Sequence, residues 1–556
     1  MARRKETKTR PRGTPWWQTT VFYQIYPLSF RDADGDGLGD IKGLIEKLPY
    51  LAELGVGGVW LCPFYDAPLE YDYGYGPRDL KKIHPQLGTM RDFDRLVAAA
   101  HRLGIKIIME WAVTNTSVQS QWFVESKSSR DHPKADWYLW RDEVPNNWEC
   151  FSGGSAWHYC PERNQYYLGM FFREHAELNW RNPAVKTAVY DAFSFWLDRG
   201  IDGFRIDTVY MYVKDKRLRD NPVVAYDASQ LFGKDDPVLG SAYLDALVPG
   251  YFRQNHIHDQ NQPESMAIMR DLRRICDGYD QDILLLGEVD IATRTGVDLC
   301  RNGMSVGNNF ALLNCKWDAE AWAAVLTSEQ EALDRFWCTN TFSNHDGSRG
   351  ITRHGTADPA ETQARGRILI AMALLIRGVP MLYYGEELGM PDADIPVREL
   401  KDPMSRRWHY LPGRSGLKRD VARSPMPWNS RKNAGFTSAR PWIRLGEDWR
   451  ERNVAAQRKD PHSVWHYTQH LITLRNQTPT LQTGSFALLA GRPPGCLAFV
   501  REQNGERWLV AANFTAQPLD LPLATGLEAA ITWRGEKTSA GVTLAAYDVL
   551  VGRLLP

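Results

Sequence analysis

The chain has 556 residues, 43% of them hydrophobic and 24% charged, and its 67 basic residues balance 67 acidic ones. This composition is typical of a globular protein and excludes a chain that is disordered throughout. The formal charge of zero gives no overall basic surface for nucleic acid or anionic lipid. No apolar run approaches the roughly 18 residues of a membrane span. We therefore expect neither a nucleic acid nor a membrane as a partner.

The cysteines and the N-terminus indicate the compartment. The eight cysteines are scattered and none forms a CxxC pair, so neither a zinc site nor a disulfide framework is expected. Residues 1–14 are basic and polar, and no apolar segment follows Arg3 and Arg4. This pattern predicts a disordered tail rather than an export signal. The sequence therefore predicts a cytoplasmic protein.

Short apolar runs alternate with amphipathic helical patterns over most of the chain. The alternation predicts a (β/α)8 TIM barrel, with a doubly wound open sheet as the alternative. The expected strands are Val21–Tyr26, Gly57–Cys62, Ile105–Glu110, Gly203–Ile206, Ile283–Glu288, Cys338–Ser343 and Val379–Tyr384, with Phe310–Cys315 as a weaker candidate. The expected helices are Asp40–Leu54, Met90–Leu103, Asn182–Arg199, Glu264–Asp277 and Glu361–Leu375.

Two long segments interrupt this alternation. Residues 111–181 lack helical periodicity and are interpreted as a small subdomain inserted after the third strand. Residues 386–460 are rich in Pro, Arg and Trp and form an elaborated loop after the eighth strand. The barrel would then comprise residues 15–110 and 182–478. Short alternating runs predict an antiparallel β-sandwich at residues 479–556.

Four acidic residues fall at or just beyond the C-terminal ends of expected strands: Glu110, Asp207, Glu288 and Asp346. In a (β/α)8 barrel these strand ends meet on the face that carries the active site. Helix capping explains one such acid but poorly explains four. The sequence therefore predicts a carboxylate-lined site on that face.

Two of these acids are candidates for opposite ionisation states. Arg205 lies two residues before Asp207, on the same strand face, and we expect it to keep Asp207 ionised as a nucleophile. A structural ion pair explains Arg205 and Asp207 equally well. Glu288 follows an apolar run, and partial burial suits it as an acid donor. Such a pair performs glycoside hydrolysis, and retention requires carboxyls roughly 5–5.5 Å apart.

The segment Asp32–Asp40 spaces oxygen donors like the first part of an EF-hand loop. The glutamate of a complete EF-hand is missing, because the twelfth position is Gly43. We predict one structural Ca²⁺ or Mg²⁺ here, with an acidic, glycine-rich turn without an ion as the alternative. The expected ligands are Asp32, Asp34, Asp36, the Leu38 carbonyl and Asp40.

Three motifs carry a resemblance to a known family: GFRID (203–207), GE (287–288) and NHD (344–346). Their order and spacing resemble the α-amylase family of glycoside hydrolases. The opening segment 21–43 and RSPMPW (423–428) resemble its α-glucosidases, oligo-1,6-glucosidases and glucosyltransferases. The resemblance implies that Asp207 is the nucleophile, that Glu288 is the general acid/base and that Asp346 clamps sugar hydroxyls. It also implies a structural metal ion.

The resemblance further implies a set of residues that hold the sugar. Asp72 and Tyr75 match a pocket for the non-reducing end, and Arg423 matches the arginine that closes it. A closed pocket implies attack at the ends of small oligosaccharides. Thr208, which follows the nucleophile, implies a preference for α-1,4 linkages. The full set is Asp72, Tyr75, Asn115, His175, Arg205, Thr208, His345 and Arg423.

The chain also departs from the family pattern. Asn115 stands where a histidine normally binds the 6-hydroxyl of the sugar, and Gly76 stands where the family has an aspartate. Because the changes cluster around the expected sugar pocket, they leave the identity of the bound sugar open. The other changed positions are Glu110, Thr114, His175 and Glu177.

These features predict a retaining α-glucosidase that acts on short α-glucosides from the non-reducing end, with or without glucosyl transfer. One alternative is a glucosyltransferase or a disaccharide isomerase of the trehalose- or sucrose-converting type. An alternative of another class is a sugar-binding or transporter-associated relative with weak or no catalysis. The sequence leaves the oligomeric state open.

Overall fold

The computed structural model describes residues 13–224, 250–290, 293–328, 335–408, 419–523, 526–532, 536–538 and 541–555. The predicted tail at residues 1–14 lies almost wholly outside these ranges. Within them, no helix combines the length and the apolar character needed to cross a membrane. No disulfide joins the eight cysteines, all of which lie in the described ranges.

Eight parallel strands close into a barrel within the described residues. Each strand pairs with the next one along the chain, and the eighth pairs with the first, which confirms the TIM barrel and excludes the open sheet. The strands are largely apolar, as expected where helices cover their outer faces, and their charged residues include Glu110, Arg205 and Glu288. In chain order they are Phe22–Ile25, Gly58–Leu61, Lys106–Trp111, Gly203–Ile206, Leu284–Asp290, Val306–Asn308, Trp337–Asn340 and Val379–Tyr383.

The sixth barrel strand differs from the prediction. It is Val306–Asn308, whereas Phe310–Leu313 of the candidate segment forms a short helix. The side chain of Asn309 caps that helix by accepting a hydrogen bond from the Leu312 N–H at 2.8 Å. The candidate Phe310–Cys315 is therefore wrong, because a three-residue strand is too short to show a periodicity while an apolar helical turn imitates a strand.

A helix follows each barrel strand, and the five predicted helices are confirmed with ends shifted by at most two residues. Asp40 begins the first helix by accepting a hydrogen bond from the Gly43 N–H at 2.7 Å, and Gly55 ends it at a φ of 92°. The eight helices are Ile41–Leu54, Met90–Arg102, Pro183–Leu197, Glu264–Asp277, Arg294–Arg301, Ala319–Ser328, Pro359–Leu375 and Val464–Gln477. Shorter helices are Trp16–Thr19, Pro27–Phe30, Gln121–Ser128, Phe310–Leu313, Gly350–Arg353, Pro403–Trp408, Val454–Gln457 and Pro479–Thr483.

The segment after the third barrel strand holds two small antiparallel sheets. Asn115–Ser117 pairs with His175–Glu177, and a three-stranded sheet orders Trp140–Arg141, Gln165–Leu168 and Trp157–Cys160. Its apolar core around Trp148 and Met170 also contacts Met211 and Tyr251, which follow the fourth barrel strand. This packing holds the segment beside the strand ends that carry the acidic residues.

The C-terminal region consists of two antiparallel sheets, as predicted. The larger has the strand order Ser485–Leu488, Cys496–Gln503, Glu506–Asn513, Val549–Leu554, Leu527–Thr532. The smaller has the order Leu519–Pro522, Gly541–Leu544, Glu536–Thr538. Side chains of both sheets share one apolar core, which makes the pair a β-sandwich.

Two fully buried arginines lie where the barrel meets the C-terminal sandwich, and Arg501 links the two domains. Arg475 donates to the carbonyls of Leu374 and Gly378 at 3.2 and 3.3 Å. Arg501 donates to the carbonyls of Leu375, at 2.8 Å, and of Gly484, at 2.9 Å. Burial lowers the pKa of Arg475 to about 9 and also lowers the pKa of Arg501. The guanidinium groups therefore donate hydrogen bonds to main-chain carbonyls near the junction of the two domains.

Candidate active site

A cavity of about 360 Å³ opens at the C-terminal ends of the barrel strands. It brings together the three predicted catalytic acids, Asp207, Glu288 and Asp346. Five of the predicted sugar-binding residues also line it: Asp72, Tyr75, Asn115, His175 and Thr208. The remaining lining residues are Arg419, Phe151, Phe171, Phe172, Tyr210, Met211, Tyr251, Phe252 and Met404.

Arg205 lies at the base of this cavity and contacts three carboxylates. Its Nη1 lies 2.5 Å from Glu110 Oε1 and 2.5 Å from Asp207 Oδ1, and its Nη2 lies 2.7 Å from Glu288 Oε1. Trp60 Nε1 donates to the other oxygen of Glu110 at 2.8 Å. One planar guanidinium therefore fixes the positions of two predicted catalytic carboxylates and of a third, buried one.

Because Arg205 contacts three carboxylates, its effect on the pKa of Asp207 is smaller than the sequence predicts. Burial, followed by the nearby Glu288 carboxylate, raises the pKa of Asp207, and Arg205 opposes the rise. Burial likewise raises the pKa of Glu110 to about 7 against the effect of Arg205. Arg205 therefore does not serve Asp207 alone, because its charge is divided among three acids.

Thr208 links the two carboxylates. Its backbone N–H donates to Glu288 Oε2 at 2.9 Å, and its hydroxyl donates to Asp207 Oδ2 at 3.2 Å. The residue has a φ of 37°, which is unusual for a β-branched side chain and stores backbone strain. Thr208 lines the cavity, so the packing around it holds a strained residue against the predicted nucleophile.

Asp346 is held by two arginines and a histidine. Arg423 Nη2 and Arg419 Nη1 lie 3.2 and 3.4 Å from Asp346 Oδ1, and His345 Nε2 lies 3.1 Å from Oδ2. Burial raises the pKa of Asp346, but His345, Arg419 and Arg423 outweigh burial and hold that pKa well below its usual range. Burial lowers the pKa of His345 to about 3, so the arginines supply the positive charge. Asp346 is therefore ionised.

Three of the predicted sugar-binding residues, Arg205, His345 and Arg423, do not line the cavity. Arg423 is fully buried behind Asp346, where its Nε donates to the His345 carbonyl at 2.7 Å. It positions Asp346 and does not line the cavity, and its contact with the sugar stays a prediction. Arg419 takes the place at the cavity wall, with Nη2 at 2.6 Å from Asp72 Oδ1 and 2.5 Å from Asp402 Oδ1.

Of the other predicted sugar-binding residues, His345 lies behind the cavity wall and contacts Tyr75, which lines the cavity. His345 is buried, and its Nδ1 lies 2.8 Å from Gln24 Nε2. The Tyr75 hydroxyl hydrogen-bonds His345 Nε2, and the two rings stack with centroids 5.7 Å apart. Burial raises the pKa of Asp72 to about 6, with Arg419 opposing it. The pocket predicted for the non-reducing end is thus held by a continuous set of buried polar contacts.

Four positions that depart from the family pattern lie on or beside one two-stranded ribbon. Asn115 and His175 line the cavity, whereas Glu177 is buried and pairs with Lys214 Nζ at 3.2 Å. Thr114 is buried beside Asn115 and accepts a hydrogen bond from its Nδ2 at 3.1 Å. The ribbon therefore presents two of the changed side chains to the cavity.

The Asp32–Asp40 loop brings three of its four carboxylates together. Oxygens of Asp32, Asp34 and Asp40 lie within 4.8 Å of one another. Burial, followed by the charges of Asp40 and Asp36, raises the pKa of Asp34. The Asp36 carboxylate lies outside that group, and its Oδ1 accepts from the Leu38 N–H at 2.8 Å. Crowded carboxylates of this kind suit a hard divalent cation.

The individual aromatic residues of the cavity wall, and Arg419, were not predicted. The wall comprises Phe151, Phe171, Phe172, Tyr210, Tyr251 and Phe252, which come from the inserted segment and from the region after the fourth strand. Sequence patterns give no signal for aromatics that converge from separate irregular segments. Arg419 lies four residues before Arg423, and only the three-dimensional path of the loop decides which of the two reaches the cavity.

Comparison with known proteins agrees with this geometry. The chain matches the α-amylase catalytic domain over residues 24–484 and therefore belongs to the α-amylase family of glycoside hydrolases. The "probable α-glucosidase" of Rhizobium meliloti is 35% identical over 523 residues, covering 91% of each chain. The solved structure of an α-glucosyl transfer enzyme, XgtA, is 35% identical, with a TM-score of 0.88 over 98% of this chain and 100% of that one. The trehalulose synthase MutB from Pseudomonas mesoacidophila MX-45 is 30% identical, with a TM-score of 0.83 over 98% and 100% of the chains.

Proposed function

We propose that the protein is a retaining α-glucosidase that removes glucosyl units from the non-reducing end of short α-glucosides. The arrangement of Asp207 and Glu288 on the two nitrogens of one guanidinium carries this proposal. Both carboxyls contact the same guanidinium and the same residue, Thr208, so they lie close together, and this fits the short separation of retaining enzymes.

In the proposed reaction Asp207 attacks the anomeric carbon and forms a covalent glucosyl ester. The glycosidic C–O bond breaks, and the proton of Glu288 moves to the leaving oxygen. Glu288 then takes a proton from water, whose oxygen attacks the same carbon and releases Asp207. Asp346, ionised beside its two arginines, binds two sugar hydroxyls and favours the distorted ring of the transition state.

The test is the stereochemistry of hydrolysis of 4-nitrophenyl α-glucoside, followed by proton NMR. We expect α-glucose as the first product, before mutarotation. β-Glucose as the first product contradicts retention. An inactive but sugar-binding protein supports the transporter-associated alternative instead.

A second candidate function, glucosyl transfer, is favoured by the aromatic wall. Phe151, Phe171 and Phe252 line the same cavity as the catalytic pair, where they exclude water and offer flat faces to a second sugar. A sugar hydroxyl can replace water in the second step, because both use one covalent intermediate. Incubation with maltose or sucrose separates the functions, since hydrolysis gives free glucose and transfer or isomerisation gives new oligosaccharides.

Thr208 is proposed to favour α-1,4 over α-1,6 linkages. It lines the cavity beside both catalytic carboxylates, where it borders the leaving group. We expect kcat/KM to be higher for maltose than for isomaltose, by about 1–3 kcal/mol of transition-state free energy. Thr208→Val should reverse or erase this ratio, and Thr208→Ala, which adds no methyl group, should keep it. A parent enzyme that prefers isomaltose, or a Val variant with an unchanged ratio, contradicts the proposal.

We propose that Asp32, Asp34 and Asp40 hold a structural Ca²⁺ or Mg²⁺, with the Leu38 carbonyl as a further ligand. Asp32 also accepts a hydrogen bond from the Thr437 hydroxyl, so the ion would fasten the loop to the segment after the eighth strand. Chelation is expected to lower the melting temperature by several degrees and to change initial activity much less. Asp34→Asn should abolish the change in melting temperature on addition of Ca²⁺. A parent protein whose melting temperature does not change with millimolar Ca²⁺ contradicts the site.

A cytoplasmic location is proposed with this function. The chain contains cysteines that are buried without disulfides, at positions such as Cys62 and Cys496, and this suits a reducing compartment.

A further inference from the structure

A second cavity, of about 370 Å³, lies between the inserted segment and the region after the fourth barrel strand. It shares no lining residue with the catalytic cavity, and the proposed hydrolysis does not use it. Its volume is typical of a small-molecule site. Positive charge dominates its lining, which includes Arg130, Arg141, Arg163, Arg181, Lys214 and Lys216. The chemistry of this cavity therefore points to an anion.

Half of these cations already have carboxylate partners. The pairs are Arg130 with Asp142 at 2.7 Å, Arg181 with Glu264 at 2.7 Å, and Lys214 with Glu177 at 3.2 Å. Two acids also line the cavity, and one of them, Asp215, pairs with Arg219 outside it at 2.9 Å. The other acid is Asp136, whose Oδ1 accepts from Asn182 Nδ2 at 3.1 Å.

The other three cations, Arg141, Arg163 and Lys216, make no ion pair with any described residue. Asp136 is the one carboxylate of the described lining that remains to balance them. The cavity therefore keeps an excess of positive charge after the pairs within the protein are made.

Trp140 holds two of the three unpaired cations at one place. The Arg163 guanidinium carbon lies 4.5 Å from the centroid of the Trp140 ring, and Arg141 Nη1 donates to the Trp140 carbonyl at 2.5 Å. Arg163 also donates from Nε to Gln165 Oε1 at 2.6 Å and from Nη1 to the Ala135 carbonyl at 3.0 Å. The Nη2 groups of both arginines donate to no described residue. Two guanidinium groups are thus fixed in position and keep N–H donors for a ligand.

The electrostatics of the two arginines agree with a missing anion. Burial lowers the pKa of Arg141, and burial followed by the charge of Arg130 lowers the pKa of Arg163. A bound anion would offset this cost, because guanidinium groups donate paired hydrogen bonds to oxyanions. A phosphoryl group suits several cations at once, since it carries roughly two negative charges and three acceptor oxygens at neutral pH.

We propose that this cavity binds the phosphoryl group of a small molecule, either inorganic phosphate or a sugar phosphate, through Arg141, Arg163 and Lys216. Arg141 and Arg163 belong to the inserted segment, whereas Lys216 follows the fourth barrel strand. The bound anion therefore joins the inserted segment to the barrel. The site is independent of the proposed hydrolysis.

The first test measures binding to the whole protein by calorimetry and by the melting temperature. The ligands are inorganic phosphate and glucose 6-phosphate, with potassium chloride at the same ionic strength as the control. We expect saturable binding and a melting temperature that rises with ligand concentration. Tighter binding of glucose 6-phosphate identifies a sugar phosphate as the ligand, and equal affinities identify the phosphoryl group alone. No saturable binding at millimolar ligand, or an equal effect of chloride, overturns the proposal.

The second test places the ligand in this cavity. Lys216→Gln and Arg141→Gln should each raise the Kd by roughly tenfold, because each removes one charge-assisted hydrogen bond. Arg217→Gln is the matched control, since Arg217 is an exposed neighbouring cation that does not line the cavity. Lys216 is exposed, so its substitution tests the site even where Arg141→Gln does not fold. A folded Lys216→Gln variant with an unchanged Kd, or an equal weakening by Arg217→Gln, overturns the proposal.

Discussion

Asp207→Ala is expected to lower kcat on 4-nitrophenyl α-glucoside by at least roughly 10⁴-fold, because no other group can form the covalent intermediate. The fold should remain intact, since the substitution removes one of three acids that share Arg205 and so relieves repulsion. The melting temperature should therefore stay level or rise. Asp94→Ala, at an exposed helical position, is the control and should retain full activity.

Azide distinguishes the roles of the two carboxylates with an activated substrate. In Asp207→Ala, azide can enter the space of the lost carboxylate and should give the β-glucosyl azide. In Glu288→Ala, the ester with Asp207 still forms from a substrate with a good leaving group, so azide attacks the opposite face and should give the α-glucosyl azide. Identical products from both variants, or substantial activity of Asp207→Ala without azide, would show that the roles are wrongly assigned.

Arg205→Met is expected to combine a large loss of activity with a loss of stability. It removes a 5% exposed side chain that contacts Glu110, Asp207 and Glu288. Breaking such a buried arrangement costs about 3–5 kcal/mol of unfolding free energy, and losing one electrostatic group typically lowers kcat by roughly a hundredfold or more. Arg102→Met, at an exposed helical position, is the control for the loss of one cation.

The stability loss of Arg205→Met should depend on pH. Glu110 already has a pKa of about 7, above its unfolded value, so the folded state binds the extra proton. The folded protein therefore loses stability as the pH rises from the pKa of Glu110 in the unfolded chain to its higher pKa in the folded protein. Without Arg205 the pKa of Glu110 rises further, so the difference in melting temperature between wild type and variant should widen from pH 5.5 to pH 8. A difference that is constant over this range contradicts the shared role of Arg205.

The barrel could be predicted because its strands are buried on both faces and its helices are amphipathic. Gly203–Ile206 coincides with the predicted strand, since its apolar pattern needs no tertiary context. The sixth strand was misplaced because Val306–Asn308 is defined by its neighbours in the barrel rather than by its own sequence. Periodicity is informative only where an element is long enough to repeat it.

The acids of the site could be located from the ends of strands, but their electrostatics could not. The sequence places Arg205 beside Asp207, yet it does not show that Glu110 and Glu288 compete for the same guanidinium. Arg419 and the aromatic wall depend on how the irregular segments fold back over the barrel. Gly76 and His175 are 99 positions apart, and only the structure shows that a Cβ atom at position 76 would lie 2.5 Å from the His175 ring.

The carbonyl contacts of Arg475 and Arg501 bear on how the chain unfolds. Leu374 and Leu375 end the seventh barrel helix, and Gly378 directly precedes the eighth strand. Their carbonyls accept hydrogen bonds from arginine side chains that lie 97 to 126 residues later in the chain. The Leu375 carbonyl therefore gains its Arg501 partner only when the sandwich strand Cys496–Gln503 is folded against the barrel. The contact of Arg501 with Leu375 therefore couples the stability of the barrel to that of the sandwich, and we expect the two to unfold together.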